Sequence, residues 1–298
     1  MHPNQLSLSV PVVHELIEHQ FPEWARLPIR EVTSEGTVNS LFRIGDDVVA
    51  RFPLHPGDVD ATRDKLIAEA AAARELFGRT SFPTPEPLGL GEPGAGFGLP
   101  WSVQSWISGS TASTVDPGDS SEFAEDLASF IRDVRSIDTR GRTFAGPGRG
   151  GDLKGSEWWM EECFENSGAL FDVPAMRRIW AALSELPRVA PDVMTHGDLI
   201  PGNVLVADGR LAGVLDVGGL GAADPALDLV GAWHLLEDGP RRVLREQLGS
   251  DDLEWARGKA WAFEQAMGAA WYYVESNVYM ARMGQRTVAR ILAEGLPV

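Results

Sequence analysis

The chain has 298 residues, 44% of them hydrophobic, and a formal net charge of -17 at pH 7. That length suits two lobes better than one core, and the apolar share supports an ordinary globular interior rather than disorder. The charge repels nucleic acid and anionic membrane surfaces and favours a cationic small molecule, although on charge alone solubility is the better account.

The opening "MHPNQLSLSVPVVHELIEHQF" lacks a basic segment followed by a long apolar run, so no secretory signal is expected. Its residues 10–19 predict a short helix. In "IREVTSEGTVNSLFRIGDDVVARFPL", two alternating runs flank "GDD", which predicts a β-hairpin. The next stretch, "DVDATRDKLIAEAAAARELFG", places Leu66, Ala70, Ala73 and Phe77 on one helical face, with Gly78 suited to the cap. A Pro- and Gly-rich connection leads to "WSVQSWISG", read as a strand ending at Gly109. Beyond it the pattern turns helical. "SEFAEDLASFIRDVRSID" faces Phe123, Leu127, Phe130, Ile131 and Val134 one way, and "FDVPAMRRIWAALSELP" is a second helix. Between them lies "TFAGPGRGGDLKG", whose glycines are costly to order and predict the most mobile segment. "DPALDLVGAWHLLED" resumes helix, with Asp224 as N-cap and Pro225 at the first helical position. "DLEWARGKAWAFEQAMGAAWYYVES" is apolar on most faces and so predicts a long buried helix. The expected fold is α+β and bilobal, with a β-rich N-terminal lobe over residues 1–105 and a mostly helical C-terminal lobe over 106–298.

One cysteine, Cys163, allows neither an intrachain disulfide nor a thiolate metal cluster, and suits a reducing cytosol. No window approaches the roughly eighteen apolar residues of a membrane span. The expectation is a cytoplasmic monomer without nucleic-acid or membrane partners.

The chemistry concentrates in "MTHGDLIPGN" and the turn that follows it. Asp198 and Asn203, with four residues between them, form the H-x-D-x-x-x-x-N arrangement of a kinase catalytic loop, and Asp216 follows in "VLDVGG". Three oxygen-bearing side chains at these spacings suit magnesium-dependent phosphoryl transfer, since Mg²⁺ takes one or two protein oxygens plus nucleotide phosphates. Asn203 and Asp216 would bind the metal. Asp198 would orient the acceptor hydroxyl or take its proton. His196 is expected to brace the loop. Asp224 caps a helix and Asp228 lies in its first turn.

"HGDLIPGNVLV", "GVLDVGG" and "ADPALDL", in this order, resemble the aminoglycoside phosphotransferase group of protein-kinase-like enzymes, which includes macrolide kinases and several metabolite kinases. The resemblance covers nearly the whole chain and implies a protein-kinase-like fold with ATP or GTP as donor and Mg²⁺ as cofactor. It departs from the pattern at Val217, where relatives carry an aromatic residue. It implies that the first lobe grips the nucleotide through Gly36, Thr37, Asn39 and Ser40. Arg51 stands where the family has a phosphate-contacting lysine, with Glu69 as its expected ion-pair partner, and Asp224 and Asp228 support the catalytic loop. Backbone groups from Gln104 to Trp106 would meet the purine. Candidate contacts to the amines of an aminoglycoside are Glu161, Glu162, Glu237, Asp238, Glu264 and Glu275, the last two read as lying on the long apolar helix. An aminoglycoside requires a broad acidic cleft beside Asp198, a macrolide a largely apolar cavity with one acid, and a small metabolite a smaller, more closed pocket. A catalytically silent kinase-like binding protein is the alternative of another class, supported by Arg51 and opposed by the intact Asp198, Asn203 and Asp216.

Overall fold

The computed structural model describes Leu6 and residues 8–32, 38–146 and 148–294. The chain divides into two compact units. The first comprises the chain up to Gly78, Pro83–Ser108 and Leu215–Gly218, and the second Arg79–Phe82, Gly109–Val214 and the chain from Gly219 onward.

The first unit begins with α1 (Val10–Gln20) and continues through β1 (Ile29–Val32), β2 (Asn39–Ile44), β3 (Val48–Pro53), α2 (Val59–Leu76), β4 (Pro87–Gly91) and β5 (Trp101–Ser105). Its five strands form one antiparallel sheet in the order β1-β2-β3-β5-β4. Alternation within β2 and β3 sends Phe42, Ile44, Ala50 and Phe52 to one face, where they pack with Val13, Leu16 and Ile17 of α1. Trp101 is fully buried and stacks on Phe52, with ring centroids 4.7 Å apart. Gly91 is required beside it, because a Cβ there would lie 2.0 Å from the indole.

Two boundaries differ from the sequence reading. α2 stops at Leu76, so Leu66, Ala70, Ala73 and Leu76 are buried while Phe77 leaves the helix with φ -52, ψ 127 and is exposed. β5 stops at Ser105 rather than Gly109, with one further bond in register from the Trp106 N–H to the Asp47 carbonyl at 2.7 Å.

The second unit contains β6 (Ser110–Thr111), α3 (Ser121–Arg135), α4 (Glu157–Asn166), α5 (Val173–Leu183), β7 (Val193–Thr195), β8 (Val204–Ala207), β9 (Arg210–Val214), β10 (Gly221–Ala223), α6 (Val230–Leu235), α7 (Asp238–Leu248), α8 (Asp252–Tyr272) and α9 (Val278–Glu294). Ser120 caps α3 by accepting from the Phe123 N–H, and all five apolar residues of the predicted stripe are fully buried. α8 is buried along most of its length and packs against α9. The two helices approach closely at Gly284, where a Cβ would lie 2.6 Å from the Ala266 carbonyl oxygen and the Ala270 nitrogen. Glu275 lies beyond the end of α8 and is exposed, so it shares no helix with Glu264.

The Gly-rich stretch read as mobile is tied to the second unit by polar contacts. The Phe144 N–H donates to Asp192 at 2.6 Å, the Gly150 carbonyl accepts from the Asp224 N–H at 2.9 Å, and the Gly151 carbonyl accepts from Arg257 at 3.2 Å. No helix among the described residues is long and apolar enough to cross a membrane.

Candidate active site

In the second unit, β7 pairs with β10 and delivers the chain into the loop that holds Asp198. His196 is fully buried there, and Gly197 takes φ +84, a left-handed conformation that glycine adopts without steric cost. The buried Asp228 carboxylate accepts both the His196 and the Gly197 N–H at 2.8 Å. One side chain thus supplies both acceptors of a buried bend, which matters because an unpaired buried amide is costly. His196 braces the loop from within, its Nδ1 accepting the Asp198 N–H at 3.3 Å.

The loop closes with a single 3-10 turn over Pro201–Asn203. Asn203 Nδ2 donates to the Asp198 carbonyl and to its Oδ2, each at 3.0 Å, which leaves the carboxamide oxygen of Asn203 as the acceptor end. Asp198 Oδ1 receives Gln265 Nε2 at 2.7 Å and Arg149 Nη2 at 3.3 Å. The other Arg149 nitrogen stands 3.9 Å from Glu264 Oε2. Glu264 is buried, and burial pushes its carboxyl above the usual carboxylate range. Behind the loop, Asp224 accepts from Arg257 at 2.6 and 2.8 Å and from the Trp261 indole at 3.0 Å, while its other oxygen takes the Ala226 N–H at 3.1 Å. Asp224 and Asp228 therefore hold the frame on which Asp198 is mounted.

In the first unit, Asp216 adopts φ +55, which is sterically costly for a residue with a Cβ, and its side chain is half exposed. Arg51 reaches it with Nη2 at 3.5 Å from Oδ1 and donates through Nη1 to Gln104 Oε1 at 3.2 Å. The expected pairing of Arg51 with Glu69 is therefore corrected: Arg51 pairs with Asp216, and Glu69 pairs with Lys65 at 3.7 Å, one turn away on α2. Glu69 instead packs over Gly218, where any Cβ would fall 2.7 Å from Glu69 Cγ. Asn39 and Ser40 open β2 opposite Pro53 and Phe52. The Trp106 N–H is taken by Asp47, so it is not a donor left for a purine, and the Gln104 side chain is engaged by Arg51. Gly36 and Thr37 lie outside the described residues.

Three of the acidic substrate candidates are engaged by arginines. Glu237 is held down at about 2 by Arg290 and Arg286, Asp238 pairs with Arg242 at 2.8 Å, and Glu161 pairs with Arg177. Glu264 is the acid that approaches the loop, through Arg149. The loop also has an apolar side, where Ile200 clusters with Ala269, Tyr273, Met280 and Met283. Two residues touching Asp198, Arg149 and Gln265, were missed in the sequence. Their available signals were an arginine isolated among glycines and a glutamine interrupting the apolar run of α8.

An antiparallel sheet followed by a helical region that carries this loop defines the class as kinase-like phosphotransferase. The chain belongs to the phosphotransferase enzyme family APH, whose model matches residues 30–261. It is 42% identical to an aminoglycoside 3'-phosphotransferase from Escherichia coli over 62 residues, 20% of this chain and 23% of that protein. Over 77 residues, 23% of this chain and 29% of its relative, it is 43% identical to an aminoglycoside 3'-phosphotransferase from Streptomyces fradiae. These alignments span about a quarter of the curated relatives. The solved GDP complex of aminoglycoside 2'-phosphotransferase-IIIa shares the fold, with a TM-score of 0.72 and 18% identity over 96% of this chain and 100% of that one. The apoenzyme of a macrolide 2'-phosphotransferase from Brachybacterium faecium does so with a TM-score of 0.60 and 19% identity over 91% and 98%.

Proposed function

We propose that this phosphotransferase moves the γ-phosphate of ATP or GTP to a hydroxyl of an antibiotic, with an aminoglycoside as the first candidate acceptor. The observation that carries the reading is the setting of Asp198. Its carboxylate is partly exposed, on a loop whose buried amides are held by Asp228 and whose far end is closed by Asn203. Such a carboxylate can orient an acceptor hydroxyl, and placement supplies much of the rate in phosphoryl transfer. The same setting argues against a silent binding protein, which has no need of a braced carboxylate.

The donor set fits Mg²⁺. The Asn203 carboxamide oxygen and the Asp216 carboxylate are hard oxygen ligands, and Mg²⁺ characteristically combines one or two of these with substrate phosphates. When bound, the cation would neutralise charge on the phosphates. Arg51 would bind phosphate, with Gln104 setting its guanidinium plane.

A macrolide acceptor is the second reading. The observation favouring it is the Ile200, Tyr273 and Met280 cluster, together with the arginine pairing that neutralises Glu237 and Asp238. An apolar acceptor gains from the first and does not need the acids. A turnover panel of kanamycin, gentamicin and erythromycin with ATP and GTP separates the readings. Asp198→Ala should lower kcat about 100- to 10,000-fold while nucleotide affinity persists. Phosphate transfer by that variant at the wild-type rate sinks the assignment.

A further inference from the structure

Asp198 is the end of a hydrogen-bonded chain that runs into the core of the second unit. Gln265 Nε2 lies 2.7 Å from Asp198 Oδ1, and Gln265 Oε1 lies 3.0 Å from His234 Nε2. His234 Nδ1 lies 2.9 Å from Thr287 Oγ1. The residues come from α6, α8 and α9; His234 is 4% exposed and Thr287 0%.

The chemistry of each group fixes the direction of the chain. An ionised carboxylate only accepts, so the amide of Gln265 must turn its nitrogen to Asp198 and its oxygen to His234. An amide oxygen only accepts, so His234 carries its proton on Nε2. Nδ1 is then bare and takes the Thr287 hydroxyl proton. The alternative acceptor for that proton, the Trp233 carbonyl, is more distant at 3.5 Å. Burial independently keeps the imidazole neutral, its pKa pulled down to about 3.

The same reasoning locates the acceptor. A carboxylate offers about four lone-pair sites. Gln265 and Arg149 use both on Oδ1, and Asn203 uses one on Oδ2. The remaining site is on Oδ2.

We infer that Gln265, fixed by His234 and Thr287, is a positioning residue that holds the Asp198 carboxylate plane so that Oδ2 receives the acceptor hydroxyl. The inference rests on the phosphotransfer reading of Asp198. His234 and Thr287 act only through Gln265, so their effects must vanish when Gln265 is gone.

The test measures kcat and nucleotide KM, using whichever of kanamycin, gentamicin and erythromycin turns over fastest, or water if none does. Gln265→Ala should lower kcat about 100-fold, the scale of a misplaced reacting group, with nucleotide KM unchanged. His234→Leu should lower kcat about 10-fold, and His234→Gln, whose amide can donate to the same oxygen, should restore it. Adding His234→Leu to Gln265→Ala should change kcat no further. Thr287→Val, nearly isosteric, gives a second reading of the chain if His234→Leu fails to fold, and should reduce kcat only while Gln265 is present. Wild-type kcat in Gln265→Ala, or multiplying effects in the double variants, overturns the relay while an inactive Asp198→Ala leaves the phosphotransfer reading standing. Full turnover by Asp198→Ala, or none by the wild-type chain, overturns both.

Discussion

The buried imidazole of His234 makes the stability of the fold depend on pH. In the folded chain burial lowers its pKa from 6.5 to about 3, with Arg149 and Arg290 adding to the effect and the Gln265 hydrogen bond opposing it. Below pH 6.5 the unfolded chain binds a proton that the folded ring refuses. The stability owed to the neutral ring is therefore complete above that pH and drains as pH falls towards about 3. At about pH 5 the loss is about 1.4 kcal/mol per unit over about 1.5 units, or about 2 kcal/mol. Glu237, whose carboxyl is lowered from 4.5 to about 2, behaves differently: its contribution is intact above pH 4.5 and is lost only below it. Urea denaturation of the wild-type chain and of His234→Gln, at about pH 7.5 and about pH 5, isolates the imidazole. The stability difference between the two proteins should shift by about 2 kcal/mol in favour of the variant at the lower pH. Equal losses in both would refute the assignment of a neutral buried ring.

Other expectations concern the frame. Arg257→Met leaves the Asp224 carboxylate buried without its cation and should destabilise the protein by about 3–5 kcal/mol in denaturant titrations, whereas a loss under about 1 kcal/mol would show that Asp224 finds another partner. Gly284→Ala forces a methyl group against the backbone of α8 and should cost about 1–3 kcal/mol, measured in the same way. A neutral result there would mean that α8 and α9 separate freely.

What could be read in the sequence was whatever repeats locally. The periodicity of α3 and the hairpin around "GDD" are short-range features, and both appear in the structure. The failures are of another kind. The family resemblance pairs Arg51 with Glu69, but the guanidinium reaches Asp216, far along the chain. Arg149 and Gln265 were invisible because no local rule marks a residue that meets Asp198 across about 50 and about 70 positions. α9 was missed as well, its apolar stripe broken by Gly284, which is needed for the approach of α8. The acidic candidates were chosen on charge, and their arginine partners lie one helix turn away for Asp238 but on another helix for Glu237.

The way the Asp198 loop hangs has a bearing on how such a protein can diversify. Asp228 grips main-chain amides, which every residue other than proline possesses. The suspension is thus blind to the identity of the side chains downstream. Ile200, which faces the apolar cluster, can be exchanged for a group suited to a different acceptor without loosening the hook that carries Asp198. Ile200 stands only two positions beyond Asp198, yet the apolar side of the loop can vary while the mounting of the carboxylate stays fixed.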